Sequence, residues 1–180
     1  EAGWPLWSIA LIILSFGLFI YFIYDQKRKL SANKNPLIDV RLFEIKDFKG
    51  VISDWSIVLD GDPKNEEALV ARGAAKINTA DYTGGIVDLD EAIKINSKNP
   101  ISWCNRGVAK SANKIYPEAI KDLDQAIKLK FDYSEAYFRR ATVKLKMKGD
   151  KQGACEDLTK ADSLGDPDAY KLIEQHCKSK

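Results

Sequence analysis

The sequence repeats itself with a fixed period, and this period constrains the fold more than any local motif. The string ARGAAKINTADYTGGIVDLDEAI, residues 71–93, recurs in altered form as NRGVAKSANKIYPEAIKDLDQAI, residues 105–127, and 11 of the 23 letters agree. A period of about 34 residues is typical of proteins that stack one supersecondary unit on the next. We therefore predict an array of similar units whose neighbours bury a continuous core.

The letters that recur alternate in size, which indicates how each unit packs. With Glu66 as position 1, small residues recur at positions 8, 20 and 27, and bulky residues recur at positions 4, 17 and 24. Two helices cross closely only where one has almost no side chain, and bulky neighbours then fill the surrounding space. The small residues are Gly73, Gly107, Ala141, Gly85, Ala119, Ala92 and Ala126, and the bulky ones are Leu69, Trp103, Tyr137, Tyr82, Tyr116, Leu89 and Leu123.

At these residues the chain resembles the tetratricopeptide repeat (TPR) family, which has the same period and the same alternation of large and small residues. The resemblance implies an all-α solenoid of about three and a half helix–turn–helix units, stacked into a superhelix with a concave groove. A final amphipathic helix is predicted to cover the last unit, as stacked arrays require for solubility. The predicted segments are 37–165 for the repeats (37–65 degenerate, 66–99, 100–133 and 134–165) and 166–180 for the capping helix and tail.

Charged residues recur with the same period. Arginine occupies position 7 of three units, and aspartate recurs on the second helix of each unit. Matched positions of opposite charge predict one ion pair per unit, and the sequence leaves open whether each pair lies within a unit or bridges two. The arginines are Arg72, Arg106 and Arg140, and the aspartates are Asp88, Asp122 and Asp157, with Asp54 in the degenerate unit.

Residues 1–24 are predicted to be a transmembrane anchor. Residues 4–24, WPLWSIALIILSFGLFIYFIY, contain no charge and as a helix would measure about 32 Å, enough to cross a bilayer core. Tryptophan at one end and tyrosine at the other are typical of membrane interfaces. A cleaved signal peptide fits less well, because no positive charge precedes the run and no small-x-small cleavage site follows it.

Residues 25–36, DQKRKLSANKNP, are predicted to be a basic juxtamembrane linker. Basic residues after the span and none before it place the N-terminus outside and the repeats in the cytoplasm, provided that no basic stretch precedes Glu1. Of the 28 basic and 26 acidic residues, 4 and 2 precede Pro36, which leaves 24 of each in the repeat region. That neutral balance argues against nucleic-acid binding, which depends on Lys and Arg neutralising phosphates.

The composition does not favour an enzyme or a metal protein. The single histidine, His176, excludes the usual nucleophile–base arrangements elsewhere, and no Gly-rich phosphate loop occurs. Cys104, Cys155 and Cys177 are far apart and odd in number, so we expect reduced packing cysteines rather than a zinc or redox site. We expect no cofactor, metal or small-molecule substrate.

The resemblance also implies a binding surface. In the TPR family the groove is lined from positions 2, 5, 6, 9, 12 and 13 of the first helices, which here are mostly apolar. Such a groove suits an amphipathic helix or an extended peptide with apolar anchors. The candidate groove residues are Val70, Ala74, Ile77, Asn78, Ile101, Asn105, Val108, Phe138, Arg139, Thr142 and Leu145, and the same positions include Glu67, Ala71, Cys104, Ser111, Ala112, Glu135 and Lys146.

The two-carboxylate clamp with which related proteins hold acidic chaperone tails is poorly matched. Asn105 and Arg139 agree with it, but Val70, Ala74 and Glu135 occupy its three other places. The linker, the adjoining end of the anchor or a permanent partner subunit are alternative occupants of the groove.

The combined prediction is a membrane-anchored scaffold or adaptor for protein–protein interaction, serving as an accessory or assembly subunit of a larger membrane complex. The alternative is a receptor or co-chaperone that binds peptide segments of soluble clients transiently. Protein partners are expected in both cases, and nucleic acid in neither.

Overall fold

The described part of the chain is an all-α helical repeat solenoid, as predicted. The computed structural model describes residues 47–147 and 149–178, and within these ranges all regular secondary structure is helical. The predicted anchor, the linker and the first helix of the degenerate unit lie outside the described residues. The helices are α1 (Phe48–Gly61), α2 (Glu66–Asn78), α3 (Tyr82–Ile95), α4 (Pro100–Ala112), α5 (Tyr116–Leu129), α6 (Ser134–Met147), α7 (Lys151–Ser163) and α8 (Ala169–His176).

Helices that follow one another in sequence also pack against one another, so the array is built from local contacts. Helices α2 and α3, α4 and α5, and α6 and α7 pack as pairs, and we call their first members A helices and their second members B helices. The A helices α2, α4 and α6 also contact one another in succession. Helix α1 packs on α2 in the place of a preceding B helix.

The small residues mark the close helix crossings, as their spacing indicated. A Cβ atom on Gly107 would lie 2.9 Å from Cγ of Leu123 and 3.1 Å from the carbonyl oxygen of Ala119. A Cβ atom on Gly73 would lie 3.0 Å from Cγ of Leu89. Because these neighbours belong to the partner B helix, any larger side chain would push the two helices apart.

The hydrophobic core is divided among the junctions of the array. One cluster joins α1, α2 and α3, a second joins α4, α5 and α6, and a third joins α6, α7 and α8. The fully buried leucines, Leu89, Leu123 and Leu158, come from the three B helices. Burying one leucine side chain stabilises the folded state by about 1.5–3 kcal/mol, so each unit has one fully buried leucine that holds its two helices together.

Most B helices begin with an aspartate cap. The carboxylates of Asp81 and Asp150 accept hydrogen bonds from the backbone N–H groups of Gly84 and Gly153, at 2.9 and 2.8 Å. Helix α5 is different, because Ile115 occupies its N-cap and makes no side-chain cap bond. A good N-cap contributes about 1 kcal/mol, so α5 lacks a stabilising contact that α3 and α7 have.

The C-terminal helix α8 packs against the last repeat. Ala169 is fully buried, and Leu172 and Ile173 pack against the cluster formed by Ala154 and Leu158 of α7. The opposite side of α8 is exposed and largely polar, which suits the end of a stacked array. In residues 47–147 and 149–178, no helix has the length and apolar character needed to cross a bilayer.

Candidate functional site

The predicted groove residues lie on the three A helices, which run side by side through the array. We call this surface the A-helix face. Most of its side chains are half-buried, so each contributes partly to the core and partly to the surface. By helix, the members are Val70, Ala74, Ile77 and Asn78 on α2, Ile101, Asn105 and Val108 on α4, and Phe138, Arg139, Thr142 and Leu145 on α6.

The two ends of the A-helix face differ in how they are supported. Val70 packs against the cluster that joins α1, α2 and α3. Phe138 and Leu145 pack against the cluster that joins α6, α7 and α8. Ile101, with 47% of its surface exposed, is the most exposed large apolar side chain among the candidates. The face therefore presents apolar side chains on a rigid support, which suits binding of an apolar segment.

Two residues at groove positions are not available at the surface. Cys104 has 0% of its surface exposed and belongs to the core cluster with Leu123 and Ala136, and Ser111 is only 7% exposed. Burial raises the pKa of the Cys104 thiol to about 12, so it stays protonated and unreactive at neutral pH. The expectation that these two residues line the groove is wrong, because both are buried and Cys104 packs into the core between α4, α5 and α6.

The charged part of the A-helix face is paired within itself. Arg139 contacts Glu135 at 3.1 Å, and both side chains are nearly half exposed. The guanidinium also lies 5.8 Å from the ring centroid of Phe138. An acidic peptide would have to compete with Glu135 for this arginine, which weakens the match to a carboxylate clamp.

The recurring arginines and aspartates form an ion-pair ladder that links helices within and between units. In each unit the arginine of the A helix makes a two-pronged bond to the aspartate of its B helix. The distances are 2.7–2.9 Å for Arg72–Asp88, 2.7–2.8 Å for Arg106–Asp122 and 2.5–2.9 Å for Arg140–Asp157. The predicted pairing is therefore present inside each unit.

The same arginines also reach the preceding unit. Nη1 of Arg106 donates to Asp90 at 2.6 Å, and Nη1 of Arg140 donates to Asp124 at 2.6 Å. Nη1 of Arg72 donates to the hydroxyl of Ser56 at 3.2 Å. The ion pairs therefore lie both within and between units. Each arginine donates to its own unit through Nε and Nη2 and to the preceding unit through Nη1.

The ladder contains members that the sequence reasoning missed. Lys76, Lys110 and Lys144 contact the buried aspartates at 2.8, 2.7 and 2.9 Å. These lysines recur with the same period as the arginines, so the sequence could have predicted that they belong to the ladder.

The ladder is structural in character. The side chain of Asp122 is only 5% exposed, and that of Arg106 is 14% exposed. Burial opposes the charged form of Arg106, but its hydrogen bonds to Asp122 and Asp90 outweigh this effect and raise its pKa. A guanidinium that is saturated by carboxylates has little capacity for a ligand.

Cys155 and Cys177 form a disulfide, contrary to the expectation of reduced cysteines. Their Cα atoms are 5.6 Å apart although the residues are 22 positions apart in sequence. Helices α7 and α8 fold back on each other, which brings the start of α7 next to the end of α8. The expectation was wrong because sequence spacing alone does not reveal contacts across a helical hairpin. Cys104 is the free, buried cysteine.

Metal ligands do not converge in the part of the chain that the structure describes. No group of three or more His, Cys, Asp or Glu side chains suited to a metal ion occurs in residues 47–147 and 149–178.

The fold is that of TPR proteins. The crystal structure of the MamA protein matches with a TM-score of 0.67 and 24% identity, covering 84% of this chain and 81% of that one. The first TPR of Spaghetti (RPAP3), bound to the HSP90 peptide SRMEEVD, matches with a TM-score of 0.60 and 20% identity, covering 64% and 93%. The second TPR domain of human RPAP3, in complex with the HSP70 peptide SGPTIEEVD, matches with a TM-score of 0.55 and 28% identity, covering 60% and 91%. No protein-family model and no curated protein matches the sequence.

Proposed function

We propose that this protein is a membrane-anchored scaffold that binds partner proteins through its A-helix face. The observation that carries the proposal is the row of half-exposed apolar side chains on α2, α4 and α6. These residues are held by packing against neighbouring helices, so little conformational freedom is lost when a partner binds. The TPR fold supports this reading, since two of the similar structures contain bound peptides.

The chemistry of the face favours an apolar segment over an acidic one. Ile101, Val108 and Phe138 supply apolar contacts along two neighbouring helices. The nearby arginine, Arg139, is already paired with Glu135. An amphipathic helix or an extended peptide with apolar anchors would fit such a surface.

The membrane anchor is the second part of the proposal. The uncharged run at residues 4–24 is long enough to span a bilayer, and the basic residues after it favour a cytoplasmic repeat domain. The Cys155–Cys177 disulfide favours the opposite orientation, because disulfides persist mainly in oxidising compartments. With the anchor and the A-helix face both engaged, the protein would serve as an accessory or assembly subunit of a larger membrane complex. Modification of introduced cysteines by a membrane-impermeant reagent on either side of sealed membranes would test the orientation.

A receptor or co-chaperone that binds client peptides transiently is the second candidate. It is favoured by the peptide complexes of the similar RPAP3 domains, and by Asn105 and Arg139, which occupy two of the five clamp positions. A partner that stays bound through detergent extraction and gel filtration would support the assembly subunit. Exchangeable binding of micromolar affinity would support the receptor.

The decisive test compares two exposed apolar residues on different helices. Ile101 on the A-helix face is 47% exposed, and Val87 on the B helix α3 is 57% exposed. We expect Ile101→Glu to reduce partner cross-links, measured by mass spectrometry on intact membranes, by about tenfold or more. Val87→Glu is the matched control and should leave them unchanged.

If Ile101→Glu and Phe138→Glu both keep every cross-link while the domain stays folded by circular dichroism, the A-helix face is not the binding surface. Equal losses in Ile101→Glu and Val87→Glu would also contradict the proposal.

A further inference from the structure

The C-terminal helix α8 is held to the array by few noncovalent contacts. It has eight residues, and Asp168 at its start makes no side-chain cap bond. Ala169 is its one buried residue, while Leu172 and Ile173 are half-buried. Helices this short are not stable alone in water, so α8 remains folded only while it is docked on α7.

The Cys155–Cys177 disulfide adds a covalent tie at the far end of this helix. Cys155 lies in the second turn of α7, and Cys177 follows α8 directly. The bond closes a loop of 22 residues that contains the α7–α8 turn and all of α8. Such a cross-link removes most of the conformations that an undocked segment would gain, so it strongly favours the docked state.

The disulfide is open to reagents in solution. An open depression of about 710 Å³ lies over it, and both cysteines are partly exposed there. Its lining also includes one cation, Lys151, and one anion, Glu156, so the charges beside the bond are balanced and access to it is set by its exposure. Cys104 is a free thiol with no S–S bond to reduce, and its burial and raised thiol pKa keep it from exchanging with the two thiols that reduction would release. A reductant would therefore change the Cys155–Cys177 pair and leave Cys104 as it is.

We propose that Cys155–Cys177 is a reducible latch that holds the capping helix α8 closed. A dithiol reductant is the reaction partner. One of its thiolates attacks a sulfur of the disulfide, the S–S bond breaks, and a mixed disulfide forms. The second thiol of the reductant resolves it, so that the reductant becomes a disulfide and Cys155 and Cys177 become two thiols, with two electrons and two protons transferred.

Opening of α8 would affect both the end of the array and the A-helix face. It would uncover the apolar side chains of Ala154, Leu158 and Ala161 on α7. It would also remove support from Phe138 and Leu145, which pack in the same cluster. The effect on partner binding rests on the proposed function, whereas the latch itself does not.

The latch can be tested by hydrogen exchange on the full chain in detergent micelles, with and without dithiothreitol. We expect amides in residues 166–178 to exchange on the order of 100-fold faster after reduction. Amides of α2–α5 should be unaffected. Cys155→Ser combined with Cys177→Ser should show the fast exchange without reductant, and the control Cys104→Ser should respond to reductant as the unmodified chain does.

Two results would overturn the proposal. One is equal exchange of residues 166–178 in the oxidised and reduced protein. The other is alkylation of Cys155 and Cys177 in the folded protein before any reductant is added, since the bond would then not form.

The effect of the disulfide on partner binding is measured separately, by cross-linking the oxidised and the reduced protein to the partner. If exchange accelerates while Ile101-dependent cross-links are unchanged, the link to binding is wrong and the latch stands. If those cross-links are missing in both states, the proposed function fails and the latch still stands.

Discussion

The repeats 66–99 and 100–133 have the same buried ion pairs, but they differ in the cap of the second helix and in one buried hydroxyl group. Asp88 and Asp122 each accept an arginine and a lysine at 2.7–2.9 Å. In contrast, α5 lacks the aspartate cap that α3 has. Ser102 also has a buried hydroxyl without a hydrogen-bond partner in the structure, where the first repeat has Ala68.

The comparison teaches that shared residues mark what every unit needs, whereas differing residues include local defects as well as candidate binding residues. A buried polar atom without a partner costs about 1–3 kcal/mol, and a missing cap costs about 1 kcal/mol. Arg106 gains a contact with Asp90 that Arg72 lacks, but Asp90 is 43% exposed, and such pairs contribute less than about 1 kcal/mol. We therefore expect repeat 100–133 to be the less stable of the two.

The largest expected effect is the loss of a shared buried charge. Asp122→Ala should destabilise the protein by about 3–5 kcal/mol, because Arg106 and Lys110 would remain partly buried without their carboxylate. Asp88→Ala should cost a similar amount. Urea unfolding followed by circular dichroism would measure both.

The matched control is Asp124→Ala, which removes a 51% exposed partner of Arg140 and should cost less than about 1 kcal/mol. Equal losses for Asp122→Ala and Asp124→Ala would show that burial does not decide the strength of the ladder.

A smaller change in stability is expected when the buried Ser102 of the second repeat is replaced by the alanine that the first repeat has at the same position. Ser102→Ala should stabilise the protein by about 1 kcal/mol, since it removes a buried polar atom without a partner. The reverse change, Ala68→Ser, places a hydroxyl at the same fully buried position and should destabilise by a similar amount. Thermal unfolding of the pair would compare them, and a loss of stability in Ser102→Ala would mean that the hydroxyl has a partner.

The smallest expected change in stability comes from the N-cap of α5. Ile115→Asp should stabilise the protein by about 0.5–1 kcal/mol by giving α5 the cap that Asp81 gives α3. Ile115→Ala is the control, because it removes the exposed apolar side chain without adding a cap. If the two variants have the same midpoint in urea, the missing cap is not a source of weakness.

The period and the size alternation predicted the helix pairs because close crossings depend on residue volume, which the letters carry directly. The ion pairs were also predictable, since Arg106 and Asp122 recur with the period. Their bridging contacts were not predicted. Asp90 and Asp124 also recur with the period, but the spacing does not show that one guanidinium reaches the aspartate of its own unit and that of the preceding unit.

Prediction of the site was less complete. Position within the repeat identified the A-helix face, but it did not reveal that Cys104 and Ser111 are covered. Burial depends on how closely α5 and α6 pack against α4, which the repeat position alone does not give. The Cys155–Cys177 bond was missed for a related reason, because it joins the last repeat to a helix outside the periodic pattern.

The register of the ladder is constant over the repeats 66–99 and 100–133, and this has a consequence for how the chain can change in evolution. Each A-helix arginine lies 16 residues after its partner in the preceding unit, and Asp88 and Asp122 follow Arg72 and Arg106 by 16 residues. Deleting residues 72–105 would place Arg106 opposite Ser56 with its own Asp122 still in reach. Duplication of the same segment would likewise leave every arginine with two partners. The array can therefore be lengthened or shortened by whole repeats without compensating substitutions, so the span of its binding surface is open to change by single recombination events.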